Sequence, residues 1–306
     1  MFFSRHLSQL QNSFVVKRFR PEEIIALIAF VILTWLSLSF GRQVNLTPYI
    51  LVMFVLFTPT FLIPMLVLSH KSIQQTSYSI LKILRDWAPV VICLVIYENL
   101  HDMVHLINPQ DYDQILSNLD EVLFGVQPTV YLEQFISPVL TELSYFAYMT
   151  YFFYPVISLG VLYYQRRLDK FRNLTLSIVM VVYLGFAGYV LVPAVGPQYA
   201  LVGDYSVDLN GYQLSALQQK IDDLFRISRD CFPSLHFSLS AVILFMTYRH
   251  NRWLFWFYLP CVLGLWFSTV YLRYHYVVDL LAGIPLIMLV LYSAPRLNSW
   301  WFATRN

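Results

Sequence analysis

Long runs of apolar residues restrict the possible folds of this chain more than any other feature of its sequence. Several runs approach the ~20 residues that an α-helix needs to cross the hydrocarbon core of a bilayer. Hydrophobic residues make up 58% of the chain and charged residues only 12%, whereas a soluble domain has about 25% charged residues. Because lipid cannot satisfy an open sheet edge, the sequence predicts an all-α fold, a polytopic transmembrane helical bundle.

The apolar runs predict about eight transmembrane helices within a single domain at residues 23–293. The predicted spans are residues 23–40, 49–69, 87–107, 139–163, 174–193, 234–247, 253–272 and 277–293. The sixth span is short and the eighth is near the lower limit of length, so both can begin inside the membrane. Residues 1–22 and 294–306 are predicted to be terminal segments, and the polar, basic start shows no cleavable signal peptide.

The Lys and Arg residues are distributed unevenly between the two sides that these spans define. One side receives fifteen of the 20, namely Arg5, Lys17, Arg18, Arg20, Lys71, Lys82, Arg85, Arg166, Arg167, Lys170, Arg172, Arg249, Arg252, Arg296 and Arg305. The other side receives Arg42, Lys220, Arg226, Arg229 and Arg273. Because cytoplasmic loops carry the excess of Lys and Arg, both terminal segments are predicted to be cytoplasmic. Residues 108–137 and 194–232 then form long loops on the outer face.

The longer outer loop contains a predicted amphipathic helix. Ser215 and Gln218 have the spacing of a capping box. One face of the helix then carries Leu217, Ile221, Leu224 and Phe225, and the opposite face carries Gln219, Lys220 and Asp223. Such a helix can lie on the outer leaflet, or it can pack on the bundle as an ordinary loop helix. The sequence leaves both arrangements open.

Two predicted spans carry polar groups along one face. In the third span these groups recur with helical spacing at Glu98, His101, Asp102 and His105. They can form the wall of a substrate cavity, a metal site, or a water-facing helix end with internal pairs. In the fourth span four tyrosines recur every three residues, at Tyr145, Tyr148, Tyr151 and Tyr154. That stripe is more typical of packing with paired hydroxyls than of a cage for a lipid headgroup.

Two histidines and an aspartate lie at the outer ends of apolar runs, where ionisable groups are unusual. Asp279 follows His275 by one helical turn, so its carboxylate can bind one ring nitrogen and leave the other free as a nucleophile. His236 is expected in the first turn of a helix, where free N–H groups favour a bound phosphate, and it can protonate a leaving oxygen. Either motif alone can be a simple helix cap. Their convergence on one membrane face favours a functional site.

The residues around these histidines resemble the type 2 phosphatidic acid phosphatase superfamily. The similarity rests on Pro-Ser-Leu-His at 233–236 and on Ser-Thr-x5-His-x3-Asp at 268–279, where that superfamily has Pro-Ser-Gly-His and Ser-Arg-x5-His-x3-Asp. Leu in place of Gly resembles the branch that contains inositol phosphorylceramide synthase. Weaker similarities at 124–128 and 192–197 extend the resemblance over roughly residues 120–283, the motif-bearing part of the domain.

The resemblance implies metal-independent phosphoryl transfer through a phosphohistidine. It makes His275 the nucleophile, Asp279 its orienting carboxylate and His236 the general acid. The chain departs from the family in two cationic positions, because Lys-x6-Arg-Pro is not visible before residue 196 and Thr269 replaces the Arg of Ser-Arg. Arg suits bidentate phosphate binding, so other residues can substitute. The candidate phosphate-binding residues are Arg273, Arg229, Arg226, Gln198, Ser234 and Thr269.

The sequence predicts no metal and no other cofactor, because the site has no tight cluster of Cys and His ligands and His275 already has a carboxylate partner. The three cysteines, Cys93, Cys231 and Cys261, make no disulfide framework. A net charge of +2 does not indicate a nucleic-acid partner, and no protein partner can be inferred. The expected partners are membrane lipids, bound as substrates.

The predicted function is that of an integral-membrane enzyme acting on a lipid phosphate ester at the outer face. The sequences Pro-Ser-Leu-His and Ser-Thr in the two motifs favour a transferase, which would move a phospho-headgroup from a phospholipid to a lipid alcohol such as ceramide. One alternative is a lipid phosphate phosphatase, with water as the acceptor. Another is a non-enzymatic lipid-binding or transport protein that keeps a degenerate site.

Overall fold

The computed structural model describes residues 19–40, 75–100, 103–225 and 229–303, and every regular element in these ranges is helical. The helices of ten or more residues are α1 (Pro21–Phe40), α2 (Gln75–Leu100), α3 (Asp113–Phe124), α4 (Pro138–Met149), α5 (Phe153–Tyr164), α6 (Leu168–Leu191), α7 (Gln213–Phe225), α8 (Leu235–His250), α9 (Arg252–Tyr271) and α10 (Val277–Ala303). Shorter α-helices are Met103–Ile107, Pro128–Tyr131 and Pro197–Ala200, and 3-10 turns are Leu132–Phe135, Thr150–Phe152 and Val202–Asp204. The predicted all-α class is confirmed.

Four helical segments are long and apolar enough to cross a membrane, so the chain is an integral membrane protein. They are Pro138–Tyr164, which joins α4 and α5 through a 3-10 turn, and the helices α6, α9 and α10. Each contains or closely overlaps one predicted span. The short sixth span corresponds to α8, which has 16 residues. Since the predicted span at 49–69 lies outside the described residues, the count of eight stays a prediction.

Helix α6 lies at the centre of the bundle and packs against α1, α2, α5, α8 and α10. Two glycines on it, Gly185 and Gly188, allow the segment before α8 to approach closely. A Cβ atom at Gly188 would collide with the ring of Pro233, and one at Gly185 would collide with the side chain of Leu235. The Pro-Ser-Leu-His segment therefore packs directly against α6.

Helix α3 fixes the 195–196 and 276–278 segments through two buried carboxylates one heptad apart. Asp113 accepts hydrogen bonds from the N–H groups of the 195–196 segment, both at 2.9 Å, and from the hydroxyl of Tyr276 at 3.1 Å. Asp120 accepts from both N–H groups of the 277–278 segment at 2.8 Å. The first N–H groups of a helix have no partner within it, so Asp120 caps α10 from another helix.

Helix α7 packs on the bundle against α4, which supports one of the two arrangements that the sequence leaves open. Ser215 and Gln218 are buried against the bundle, whereas Leu217 is exposed. The capping-box prediction is wrong, because the helix begins at Gln213 and Ser215 lies inside its first turn. The carboxylate of Glu142 on α4 provides the cap instead, since it accepts hydrogen bonds from the N–H groups of residues 212, 214 and 215.

A buried ionic network joins α1 and α2 on the side that carries most of the basic residues. Arg20 binds Asp86 at 2.5 Å, and Arg85 binds Glu23 at 2.6 Å. Lys82 also binds Asp86, at 2.8 Å. These pairs neutralise the charges that packing of the two helices buries.

Candidate active site

Three side chains form a hydrogen-bonded line where α8 and α10 begin. Nδ1 of His275 lies 3.3 Å from Oδ2 of Asp279, and Nε2 of His275 lies 3.1 Å from Nδ1 of His236. His275 and Asp279 are buried and His236 is half-buried. The structure thus brings together the two motifs, which are 39 positions apart in the chain.

Ser234 holds the start of α8 against the start of α10. Its backbone N–H donates to the carbonyl of Asp279 at 3.1 Å. Its hydroxyl accepts from the N–H of Phe237 at 3.3 Å, as the side chain of an N-cap residue does. His236 consequently lies in the first turn of α8, as the sequence predicts.

The turn between α9 and α10 orients His275. The carbonyl of Thr269 accepts the N–H groups of both Tyr274 and His275 at 3.0 Å. Asp279 then closes the turn, because its Oδ2 accepts the N–H of Tyr276 at 2.9 Å in addition to facing Nδ1 of His275. The carboxylate is therefore both a helix cap and the partner of the imidazole, two roles that the sequence treats as alternatives.

Cys231 is a member of the site that sequence reasoning missed. Its thiol donates to Oδ2 of Asp279 at 2.9 Å and lies 3.6 Å from Nδ1 of His275. Burial, together with the adjacent charge of Asp279, raises the pKa of this thiol well above its ordinary value, so it keeps its proton and acts as a donor. Its place two residues before Pro233, within the first motif, is the signal that could have marked it.

Cys231, His275 and Asp279 are also the set in the described residues whose ligand atoms lie close enough to hold a metal ion, within 4.8 Å of one another. A metal would need the thiolate form of Cys231, which burial disfavours. Its binding would also take Nδ1 of His275 away from Asp279. The geometry is therefore better suited to hydrogen bonding than to coordination.

Most of the candidate phosphate-binding residues lie against other protein groups. The guanidinium of Arg273 donates to Glu133 at 2.8 Å and to the carbonyl of Val207 at 2.6 Å, with the ring of Tyr205 below it at 3.7 Å. Burial opposes ionisation of Glu133, but hydrogen bonds from Val207 and from a neighbouring serine, with the charge of Arg273, outweigh it and lower the pKa of Glu133. Glu133 therefore holds the guanidinium as a carboxylate.

Three further candidates also make hydrogen bonds to other protein groups. Arg229 makes a bidentate pair with Asp111, at 2.6 and 2.9 Å. The hydroxyl of Thr269 donates to the carbonyl of Trp266 at 2.8 Å, and the backbone N–H of Gln198 donates to the carbonyl of Arg273 at 2.8 Å. Arg226 lies outside the described residues. Phosphate binding by any of these residues stays a prediction.

A cavity of about 320 Å³ opens from the two histidines into the membrane part of the bundle. Its walls are apolar and aromatic side chains of α2, α4, α5, α6 and α8, and helix α7 closes one end with Gln218, Ile221 and Asp222. The rings of Tyr148 and Tyr151 pack on His236 at centroid distances of 4.7 and 4.5 Å. A lipid whose polar end reaches His236 and His275 would lie with its hydrocarbon chains along these walls.

The structure places the polar residues of the third and fourth predicted spans in different surroundings. In the fourth span Tyr145, Tyr148 and Tyr154 are buried, which supports packing, although Tyr148 and Tyr151 also line the cavity. In the third span His105 is exposed and does not line it. The side chains of Glu98, His101 and Asp102 lie outside the part of the chain that the structure describes.

Comparison with known proteins identifies the class. The family model of the PAP2 superfamily matches residues 115–293, which is more than half of the chain and contains both histidine motifs. The chain belongs to the PAP2 superfamily, and it is a lipid phosphotransferase or phosphatase of the membrane. The non-enzymatic alternative is thereby set aside.

One relative indicates which branch of the superfamily this chain resembles. The chain is 26% identical over 211 residues to the phosphoinositol dihydroceramide synthase of Bacteroides thetaiotaomicron, an alignment that covers 60% of this chain and 67% of the relative. The resemblance to the inositol phosphorylceramide synthase branch is confirmed by this similarity. No solved structure matches the chain.

Proposed function

We propose that this enzyme transfers an inositol phosphate headgroup from a phospholipid to a ceramide-like lipid alcohol, through a phosphohistidine on Nε2 of His275. The observation that carries the proposal is the line Asp279–His275–His236, with distances of 3.3 and 3.1 Å, at the end of an apolar cavity. Similarity to a protein named phosphoinositol dihydroceramide synthase supports the choice of headgroup and acceptor.

In the first half of the reaction, Nε2 of His275 attacks the phosphorus of the donor lipid. The bond between phosphorus and the lipid oxygen breaks, and protonated His236 gives its proton to that oxygen, so a neutral lipid alcohol leaves. Asp279 holds Nδ1–H of His275, which fixes the tautomer with a free Nε2 and stabilises the positive charge of the ring.

In the second half, the hydroxyl oxygen of the acceptor attacks the same phosphorus. The P–N bond to His275 breaks, and the hydroxyl proton passes to His236, which is thereby ready for the next donor. Water in place of the lipid alcohol would make the enzyme a hydrolase, and a phosphatase if the donor were a phosphate monoester such as phosphatidic acid. The apolar walls of the cavity favour a lipid over water at this position.

The charge of the phosphate needs compensation at the site. The first N–H groups of α8 and the imidazolium of His236 would lie next to a phosphate bound to Nε2 of His275. Arg273 and Arg229 now face the carboxylates of Glu133 and Asp111, which offset their positive charges. We place the site on the outer face and both termini in the cytoplasm, on the distribution of Lys and Arg along the sequence.

The test is to trap the intermediate. Purified protein in detergent would be mixed with phosphatidylinositol labelled with ³²P at its phosphate and quenched in alkali, where phosphohistidine is stable. We expect label on the protein that acid releases, none on His275→Ala, and transfer of the label to added dihydroceramide. Release of labelled inositol phosphate without a new lipid would make the enzyme a hydrolase of the phospholipid instead of a transferase, and transfer without any protein-bound label would exclude the phosphohistidine.

A further inference from the structure

The cavity beside the histidines contains two carboxylates and, among the described residues that line it, no Lys or Arg. Asp222 comes from α7, at one end of the cavity, and Asp230 comes from the segment that precedes α8. An anionic group on a second lipid would be repelled by this pair. The cavity is therefore better suited to a neutral molecule than to a second phospholipid.

Each carboxylate is held in place by a neighbouring donor. Asp222 accepts hydrogen bonds from the hydroxyl of Tyr274 and from Nε2 of Gln218, the latter at 2.8 Å. Asp230 accepts from the hydroxyl of Tyr97 at 2.6 Å. An ionised carboxylate has about four acceptor positions and no donor, so both groups can bind further N–H or O–H groups of a ligand but none of its carbonyls.

The opposite part of the cavity opens at the surface of the bundle. Leu94 on α2 and Phe152 and Val156 beside it line the cavity, yet they are 62%, 54% and 57% exposed. Hydrocarbon chains can therefore extend between α2 and α5 into the bilayer while the polar end of the same molecule reaches the histidines.

We propose that Asp222 and Asp230 determine which lipid alcohol the enzyme accepts, by selecting an alcohol that carries further hydrogen-bond donors close to its reacting hydroxyl. This inference rests on the proposed function and adds a selectivity to it. An N-acyl amino alcohol offers an amide N–H and, in many lipids, a second hydroxyl. Diacylglycerol offers only ester carbonyls beside its hydroxyl, and these would face the carboxylates without a hydrogen bond.

The substrate-side test uses the unmodified enzyme. Dihydroceramide and an analogue methylated at the amide nitrogen would compete in one mixed micelle for the label from phosphatidylinositol. Loss of a hydrogen bond to a charged group is expected to reduce product from the analogue by about tenfold or more. Equal yields from the two acceptors would overturn the inference.

A second test uses variants of the enzyme to identify the residues that cause the acceptor selectivity. Asp222→Asn and Asp230→Asn would be compared by the same product ratio, which cancels any loss of overall rate or of folded protein. We expect the penalty for the methylated analogue to shrink in at least one variant and to stay unchanged in Asp208→Asn, whose side chain is exposed in an outer loop. A penalty that persists in both variants and in the double variant would assign the selectivity elsewhere.

The labelling of His275 distinguishes failure of the proposed function from failure of the proposed acceptor selectivity. If the protein is labelled by the donor but the two acceptors react equally, the proposed function stands and the selectivity is wrong. If no phosphohistidine forms and no lipid product appears, the proposed function itself fails, and the selectivity fails with it.

Discussion

Asp120 of α3 caps α10 from outside, with its Oδ1 2.8 Å from the backbone nitrogen of Val278. The second oxygen binds the nitrogen of the preceding residue at the same distance. Because Asp279 is the next residue along the chain and faces His275, a side chain of a separate helix positions the carboxylate of the site. The cap thus links α3 to the site.

This cap predicts a pH effect on stability. Burial, and secondarily the charge of Asp279, raise the pKa of Asp120 to about 6, against the opposing effect of its two backbone N–H bonds. The pKa is raised relative to the unfolded chain, so the native state holds the proton longer, and the contribution of Asp120 to stability should fall as pH rises from about 4 to about 6. Asp120→Asn cannot ionise and should show a flatter profile of melting temperature over this window. Parallel profiles for the two proteins would contradict the assignment.

The two histidines should differ in their response to the leaving group. General acid catalysis contributes typically 10²–10⁴-fold, which matters most for a poor leaving group such as a lipid alkoxide. His236→Ala should therefore lose most activity on the lipid and regain much of it on a nitrophenyl phosphate ester. His275→Ala should be inactive on both, because a better leaving group does not replace a nucleophile, and Asp279→Asn should fall between them. Rescue of His275→Ala instead would reverse the roles.

Activity should survive a chelator. The protonated thiol of Cys231 donates to Asp279, and His275 uses Nδ1 toward the same carboxylate, so both are engaged without a metal. Turnover of labelled phospholipid would be followed before and after dialysis against EDTA. Loss of activity that a divalent ion restores would direct attention to Cys231, and also to Glu98, His101, Asp102 and His105.

Arg273→Ala should damage activity more than Lys220→Ala. Lys220 is exposed, whereas Arg273 is buried and joins Glu133 to the carbonyl of Val207. Glu133→Gln distinguishes the two possible roles of the arginine. If Arg273 only positions the turn before His275, the Glu133 variant should lose activity to a similar extent. If Arg273 binds phosphate instead, Glu133→Gln should keep its activity, whereas Arg273→Ala should raise KM for the donor lipid. Small, equal effects of Arg273→Ala and Lys220→Ala would exclude both roles.

The membrane orientation can be tested by labelling of introduced cysteines in intact cells. Gln219→Cys on α7 and Gln165→Cys between α5 and α6 are matched changes at exposed positions, unlike Gln218, which is buried. Cys93 and Cys231 are buried and Cys261 is half-buried, which limits background. An impermeant maleimide should react with the first variant only. Reaction with the second variant only would invert the topology and the side of the site.

The sequence predicts well the features that depend on local pattern. Hydrophobic run length identified the helices at 139–163 and 253–272. The four-residue spacing of His275 and Asp279 predicted that the carboxylate faces the ring, and their atoms lie 3.3 Å apart, although His275 precedes α10, which begins at Val277. The 3-10 turn at Thr150–Phe152 was not predicted, although Pro155, which has no N–H to donate to the carbonyl four residues earlier, gives a local reason for it. Run length alone carries no information on such an interruption.

The parts that could not be predicted depend on contacts distant in sequence. Asp120 lies 157 positions from the N–H of Val277 that it binds, and Glu142 lies 72 positions from the N–H of Leu214 that it caps. A carboxylate in an outer loop carries no sign of which helix end it will meet. The same holds for Arg273, whose partner Glu133 the sequence gives no reason to choose.

A shared cavity has a consequence for the direction of the reaction. The alcohol that leaves and the alcohol that arrives both need His236, so under the proposed mechanism they occupy the same space beside it in turn. The first product should therefore compete with the acceptor, and added diacylglycerol should drive the phosphohistidine back to phospholipid. Net flow would then be set by the relative abundance of the two alcohols in the surrounding leaflet, weighted by the preference of the cavity between them, and the enzyme would act as an exchanger that responds to the lipid composition of its own membrane.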